Sequence, residues 1–204
     1  MHFAGSVLRA AHRMKLMIDD LLDIAGTAQG HQIVLRKKPG DLREICRGIV
    51  EEFQIAHPHR TIEFQAPDAL EGEWDAGRLE QVLSNLLSNA DSYGDADSPI
   101  LVALSAGSSS NSSAPGCIVL EVNNRGEVIP EDVRNNLFAA FWRGANNEAS
   151  GANNNSSGLG LGLYIVKQIV EAHHGSIEVE SSEENGTTFT VTLPHFPTTA
   201  APPH

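Results

Sequence analysis

The chain has 204 residues with 41% hydrophobic content, enough for one domain with an additional segment. Its net charge of −12 disfavours nucleic acid or an anionic membrane as the main partner, because both repel an acidic surface. No apolar stretch approaches the roughly 20 residues of a membrane span, and no signal peptide is visible, so we expect a cytoplasmic protein. The two cysteines, Cys46 and Cys117, lack the spacing of a zinc site or a disulfide framework and are expected to be buried, reduced thiols.

The first predicted element is a helix over residues 6–25, whose apolar residues recur in alternating steps of four and three. These positions are Val7, Ala11, Met14, Ile18, Leu21 and Ala25. The spacing is that of a heptad repeat. Two interpretations stay open: an ordinary amphipathic helix packed on its own domain, and a bundle or dimer helix, which the sustained repeat slightly favours.

From residue 31 onward, the sequence predicts short strands and longer helices in mixed order. Strands are predicted at Ile33–Leu35, Thr61–Gln65, Ile100–Leu104, Ile118–Val122, Ile177–Glu180 and Thr188–Leu193. Helices are predicted from Asp41 to about Ala56, from Asp75 to about Tyr93, after Pro130 toward Phe138, and from about Leu161 to Gly175. The mixed order with a closing hairpin predicts an α+β fold. Its form is a two-layer α/β sandwich, a mixed and mainly antiparallel sheet with helices on one face.

Three segments have the composition of flexible chain. The serine-rich stretch Ser105–Gly116 predicts a hairpin loop, the Asn-rich stretch Arg143–Ser157 predicts a mobile segment, and the tail from Phe196 predicts disorder. We therefore divide the chain into an N-terminal helical segment at 1–30, a main domain at 31–195 and a disordered tail at 196–204.

A pair of asparagines is the first candidate for chemistry. Asn85 and Asn89 are four residues apart on a predicted helix, so they share one face beside an apolar stripe. Carboxamides in such a place need partners. Hydrogen bonds to backbone are the simpler interpretation, and oxygen ligands for Mg²⁺ are the alternative.

Two further motifs lie in the second half of the chain. The polar segment Asn123–Ile129 follows a predicted strand, where a side chain can read the edge of a planar ligand and Gly126 lets a ring approach the backbone. Taken alone, the segment is more simply explained as a plain polar turn. The segment Leu137–Arg143 is an aromatic cluster, and core packing accounts for Phe138 and Phe141.

Three glycines on alternate positions, in Gly158–Leu163, directly precede the last predicted helix. Glycine lets the backbone approach an anion closely, and a helix N-terminus offers unpaired N–H groups with partial positive charge. This arrangement suits a phosphate. The mobile segment ahead of it is placed like a lid.

In this order, the four motifs resemble the ATP-binding catalytic domain of sensor histidine kinases. That domain belongs to a superfamily with DNA gyrase, the heat-shock chaperone ATPases and the mismatch-repair ATPases. The resemblance covers about residues 32–194. It rests on Arg78–Ala90 (the N box), Asn123–Ile129 and Gly158–Gly162 (the two glycine boxes), Phe138–Phe141 (the phenylalanine box) and the closing strand Gly186–Pro194.

The resemblance implies that the chain binds ATP and Mg²⁺. Asn89 would ligate the Mg²⁺, and Asn85 would support phosphate and metal nearby. Tyr93 would lie against the base or sugar, Asn124 would read the adenine amino group, and Thr188 would assist through water. The other implied nucleotide-binding positions are Gly126, Ile129, Gly158, Leu159, Gly160, Leu161 and Gly162.

The chain departs from the family pattern at three positions, Asn124, Val128 and Ser92, and differs from the gyrase-type ATPases at Asn85. Asn124 replaces an aspartate; its carbonyl oxygen can still accept from an adenine N–H, without the strength that charge adds. Val128 replaces a commoner glycine, and Ser92 replaces a basic residue, for which Arg143, Lys167 or a residue outside the chain would compensate. Asn85 stands where gyrase-type ATPases carry a catalytic glutamate, so the site is poorly equipped for hydrolysis and better suited to phosphoryl transfer to a protein histidine.

The segment Arg13–Asp23 resembles the second helix of the family's dimerisation and phosphoacceptor hairpin. The resemblance implies three partners: a phosphoacceptor histidine hairpin, a response-regulator receiver domain and, in the full-length protein, a second copy. We expect the acceptor helix to be absent here, with His12 an unsuitable acceptor. The function implied is transfer of the ATP γ-phosphate to a histidine. The alternatives are an anti-sigma-type serine kinase and a degenerate nucleotide-sensing or protein-binding module.

Overall fold

The computed structural model describes residues 33–107, 116–142 and 160–194. The predicted N-terminal helix, most of the serine-rich loop, residues 143–159 and the tail lie outside these ranges, so those predictions stay predictions. Within the described ranges, no helix is both long and apolar enough to cross a membrane.

Seven strands and four helices make up the described part of the chain. In order they are β1 (Lys38–Asp41), α1 (Leu42–Ala56), β2 (Ile62–Gln65), β3 (Glu71–Trp74), α2 (Ala76–Tyr93), β4 (Ile100–Gly107), β5 (Cys117–Asn124), α3 (Glu131–Arg134), α4 (Gly162–Ala172), β6 (Ser176–Ser182) and β7 (Gly186–Pro194). The main sheet has the order β2-β4-β5-β7-β6, with β2 and β4 parallel and the other pairs antiparallel. The predicted α+β sandwich is confirmed.

The core lies between the sheet and the long helices. Along β5, the alternate residues Ile118, Leu120 and Val122 are at most 2% exposed, whereas the residues between them are only half-buried. The helices close over this face with apolar stripes, and the α2 residues Leu83 and Leu86 are fully buried. Period-two burial in the strands and a one-sided stripe on the helices produce the two layers.

The prediction of a strand at Ile33–Leu35 is wrong, and a small second sheet was missed. β1 starts five residues later and pairs antiparallel with β3. β3 was hard to predict because its sequence is Glu-Gly-Glu-Trp, with a glycine at one of its two buried positions. The Trp74 ring covers Gly72 so closely that a Cβ there would lie 2.5 Å from a ring carbon.

The predicted starts of α1 and α2 are confirmed by their caps. Asp41 Oδ1 accepts from the Arg43 N–H at 3.0 Å and from the Leu70 N–H at 2.9 Å. Asp75 Oδ1 accepts from the Arg78 N–H at 3.2 Å. The contacts to Arg43 and Arg78 satisfy N–H groups that a helix start otherwise leaves unpaired, and the contact to Leu70 fixes the start of α1 to the residue before β3.

His173, just after α4, is expected to make stability depend on pH. It is 2% exposed, Nδ1 donates to the Ile169 carbonyl at 2.9 Å, and Nε2 has no partner among the described residues. Burial lowers its pKa below the usual 6.5; the Ile169 carbonyl and Asp75 oppose this, whereas Lys37 and His174 add to it. Since the unfolded chain then binds the proton better, stability is retained above pH 6.5 and is lost as the pH falls below it.

Urea unfolding between pH 7.5 and 5.5 checks this expectation. The wild-type chain should lose more stability over that range than a His173→Gln variant, in which this titration is absent. Equal losses in the two proteins would contradict it.

The two free cysteines are expected to differ in reactivity. Cys46 is 1% exposed, and burial followed by the charge of Asp41 raises the pKa of its thiol to about 12. Cys117 is only half-buried, which corrects the prediction that both are buried. Because the thiolate is the reactive form, iodoacetamide should label Cys117 in the folded protein and Cys46 only after unfolding, as peptide mass spectrometry would reveal.

The aromatic cluster after α3 divides in two. Phe138 packs edge-on against the core residue Phe189, with ring centroids 6.4 Å apart. Phe141 is 63% exposed and has a left-handed backbone with φ 62°, so core packing does not explain it and that prediction is wrong.

Candidate functional site

The ends of β5 and β7 bring two polar residues onto the buried face of the sheet. Asn124 lies opposite Thr187 in the antiparallel ladder, and each is 5% exposed. They continue the inward rows formed by Val122 and Phe189. Polar side chains at the end of an apolar row form a polar edge beside a hydrophobic surface, which suits a planar, partly polar ligand.

Thr188, which the resemblance places at the site, lies on the other face. It is opposite Asn123, whose Nδ2 donates to the Thr188 Oγ1 at 2.8 Å. Thr187 takes the position beside Asn124. Strand alternation could have identified it, because Phe189 is an obvious core residue and Thr187 is two positions before it.

A hydroxyl that the sequence did not suggest connects three segments at this edge. The Ser181 Oγ accepts from the Ile129 N–H at 2.9 Å and lies 2.8 Å from the Thr187 Oγ1. Ser181 comes from β6, so the end of the sheet and the segment after β5 are fixed to each other. The predicted residue Ile129 is thereby held near Thr187.

The orientation of the Asn124 carboxamide leaves an acceptor available. Its Nδ2 donates to the Arg125 carbonyl at 3.2 Å, and its Oδ1 accepts no hydrogen bond from the described residues. A free carbonyl oxygen at a buried edge can accept from an amino group of a ligand.

The end of α2 contacts the same edge through two glycines. Gly94 forms an isolated β-bridge with Gly126, and a Cβ on Gly126 would lie 2.5 Å from the Tyr93 carbonyl oxygen. The Tyr93 side chain is 54% exposed. The structure therefore brings together three predicted site residues, Tyr93, Asn124 and Gly126.

Further back along α2, Asn85 faces the start of α4, and Asn89 lies one helical turn after it on the same helix. The Asn85 Nδ2 is buried without a hydrogen-bond partner in the described part of the chain. Its Oδ1 would lie 3.1 Å from a Cβ on Gly162. Asn89 is half-buried, and no hydrogen bond joins its side chain to another described residue. An unpaired buried amide is costly, so the Asn85 Nδ2 is available to a polar ligand, and the half-buried Asn89 carboxamide is free to bind one as well.

The N-terminus of α4 has the features of an anion site. Gly160 has a left-handed backbone with φ 71°, which glycine adopts without strain. Leu161 is the N-cap and makes no side-chain cap bond, so it leaves the first helical N–H groups for another acceptor. Gly158 and Leu159 lie outside the described residues.

The described residues contain no group of three or more His, Cys, Asp or Glu that could hold a metal ion. Amide oxygens such as that of Asn89, together with phosphate oxygens, are the donor set that suits Mg²⁺. Of the candidate basic residues, Lys167 pairs with Glu171 at 3.8 Å, one turn further from the anion site, and Arg143 is outside the described ranges.

The polar edge at Asn124 and Thr187, the uncapped N-terminus of α4 and the unpaired Asn85 amide beside it are features of a nucleotide-binding domain. Residues 74–197 match the family model described as histidine kinase-, DNA gyrase B- and HSP90-like ATPase. The chain therefore belongs to this family.

Curated relatives include sensor histidine kinases. The chain is 31% identical over 185 residues to a bacteriophytochrome of Pseudomonas aeruginosa, covering 91% of the chain and 24% of the relative. It is 34% identical over 186 residues to the sensor histidine kinase TrcS of Mycobacterium tuberculosis, covering 90% of the chain and 34% of the relative. The chain thus spans 24% and 34% of the length of these two proteins, and its match to the ATPase family model makes it the ATP-binding catalytic part of a sensor kinase.

A solved structure agrees with this assignment. Full-length ShkA, in complex with AMPPNP, superposes with a TM-score of 0.70 at 25% identity, covering 97% of this chain and 39% of that chain.

Proposed function

We propose that this chain binds Mg²⁺·ATP and transfers the γ-phosphoryl group to a histidine on a separate phosphoacceptor hairpin. The observation that supports it most is the unpaired, buried Asn85 Nδ2 beside Gly162 at the uncapped start of α4. A donor without a partner next to free helix N–H groups fits a polyanion. Membership in the ATPase family makes that polyanion the triphosphate of ATP.

We call the part of the site formed by Tyr93, Asn124, Gly126 and Thr187 the base end. There, the Asn124 Oδ1 accepts a hydrogen bond from the adenine amino group in this proposal. Thr187, rather than Thr188, assists through water because it shares the inward face with Asn124. Gly126 and Ile129 present backbone to the ring. The exposed Tyr93 ring lies against the base or sugar.

At the phosphate end, the amides of Gly158–Gly162 hold the triphosphate. Asn89 ligates Mg²⁺ and Asn85 donates to phosphate oxygen. When bound, Mg²⁺ neutralises the negative charge that the phosphates carry. The Asn85 amide and the helix N–H groups add fixed dipoles whose positive ends also stabilise the phosphate charge.

The transfer itself requires little covalent chemistry from this chain. A ring nitrogen of the acceptor histidine forms a bond to the γ-phosphorus while the bond to the β,γ-bridging oxygen breaks, and ADP leaves. The chain contributes positioning and charge neutralisation. Because Asn85 is an amide and cannot accept a proton from water as a carboxylate does, hydrolysis is disfavoured relative to this transfer.

The partners in this proposal are the phosphoacceptor hairpin and the receiver domain of a response regulator. A second copy of the full-length protein completes the dimer, with the helix predicted at 6–25 as part of its hairpin. The reaction takes place in the cytoplasm, where ATP is supplied.

Isothermal titration calorimetry with ATP and ADP, each with and without Mg²⁺, tests the binding half of the proposal. Binding that depends on Mg²⁺ is expected. No binding at millimolar nucleotide would contradict the proposal and leave only the alternative of a degenerate protein-binding module.

A further inference from the structure

The C-terminal end of α2 is capped from outside by Arg60, which comes from the turn before β2. The last turn of α2 has no basic residue of its own, and a helix end leaves carbonyl groups without partners. The Arg60 Nη2 donates to the Ala90 carbonyl at 3.1 Å, and its Nη1 donates to the Asp95 carbonyl at 2.5 Å. One side chain therefore fixes the helix end and the segment that follows it.

Arg60 is a buried charge with a specific set of partners. It is 6% exposed, and its Nε lies 3.5 Å from the Asp91 Oδ1 without forming a hydrogen bond to a described residue. A buried guanidinium is costly unless it is paired and hydrogen-bonded. Asp91 and the two carbonyl oxygens meet this need, so the position of the cation is closely determined.

Gly94 lies between the Arg60 guanidinium and Asn124 at the base end of the site. A Cβ on Gly94 would lie 2.5 Å from the Arg60 Nη2 and 3.2 Å from the Asn124 Cβ. The next residue, Asp95, donates its N–H to the Arg125 carbonyl at 2.8 Å. The Tyr93–Asp95 segment is thus held between the guanidinium and the end of β5.

We propose that Arg60 is a positioning residue of the nucleotide site. It holds Tyr93–Asp95 against Arg125–Gly126 and so sets the distance between Tyr93 and Asn124 at the base end. It acts through these residues without contacting the nucleotide. This inference rests on the function proposed above.

Two substitutions test the role by ADP binding in the presence of Mg²⁺. Arg60→Met keeps most of the bulk but removes the donors and the charge, and Arg60→Lys keeps the charge. We expect the Kd for ADP to rise about tenfold in Arg60→Met and less in Arg60→Lys. Both variants are measured well below their own unfolding temperatures. The matched control is Arg47→Met, because Arg47 has a side chain 47% exposed on α1; its Kd should equal that of the wild type.

Hydrogen exchange in the nucleotide-free variants separates positioning from general destabilisation. Loss of positioning should speed exchange in peptides that cover 90–96 and 124–127 while β7 stays as protected as in the wild type. Uniformly faster exchange, or an unchanged Kd in folded Arg60→Met and Arg60→Lys, would overturn the inference. Failure of the wild type to bind ADP would instead contradict the proposed function.

Discussion

Replacing Asn89 with alanine is expected to remove the Mg²⁺ dependence of nucleotide binding. The Asn89 carboxamide has no hydrogen-bond partner among the described residues, and it lies on α2 one helical turn after Asn85, the residue next to Gly162. In the proposal its oxygen is the one contact of this chain to the metal. We expect the ratio of ADP dissociation constants without and with Mg²⁺ to fall toward one, with a loss of about a hundredfold in the Mg²⁺-dependent affinity.

The control for this experiment is Ser88→Ala, which changes the neighbouring, exposed position on the same helix. It should bind ADP as the wild type does, in both the presence and the absence of Mg²⁺. If Asn89→Ala retained the wild-type dependence on Mg²⁺, the metal assignment would be wrong.

Gly186→Ala is expected to destabilise the fold and disturb the base end of the site together. Gly186 has φ 74°, and a Cβ there would lie 2.3 Å from the Asn124 carbonyl oxygen. The left-handed conformation costs an alanine roughly 1 to 2 kcal/mol, and the backbone clash brings the expected loss to about 3 kcal/mol. Urea unfolding measures the loss, and ADP binding should weaken because Asn124 must move.

A glycine in open space provides the opposite expectation. Gly48 lies inside α1, and a Cβ there would meet nothing within 4 Å. Gly48→Ala should therefore stabilise the protein by about 1 kcal/mol through helix propensity, with ADP binding unchanged. A loss of stability in Gly48→Ala would contradict the helix-propensity expectation, and wild-type stability in Gly186→Ala would show that close contact at Gly186 does not constrain the fold.

Much of the architecture could be predicted because its signals are local. Aspartates at 41 and 75 mark the helix starts, and the alternation in Ile118–Val122 marks a half-buried strand. β3 could not be predicted, because its burial depends on Trp74 folding back over Gly72. The exposure of Phe141 follows from a backbone conformation that composition does not indicate.

The candidate site was predictable to the extent that its residues lie in ordered motifs. Asn85, Asn89 and Gly162 were identified, and the structure brings Asn85 and Gly162 into contact. Thr188 is one position away from Thr187, the residue on the inward face, which counting from Phe189 identifies. Ser181 and Arg60 were missed because their partners are distant in the chain, and a single sequence carries no signal for such pairs.

The most direct test is phosphoryl transfer in trans. The chain is incubated with Mg²⁺ and γ-labelled ATP together with a separate phosphoacceptor hairpin, and with a hairpin in which the acceptor histidine is replaced by alanine. We predict label on the first hairpin only, in a linkage that is lost in acid and retained in alkali. Absence of label despite ATP binding, or an acid-stable phosphate on serine, would contradict the account.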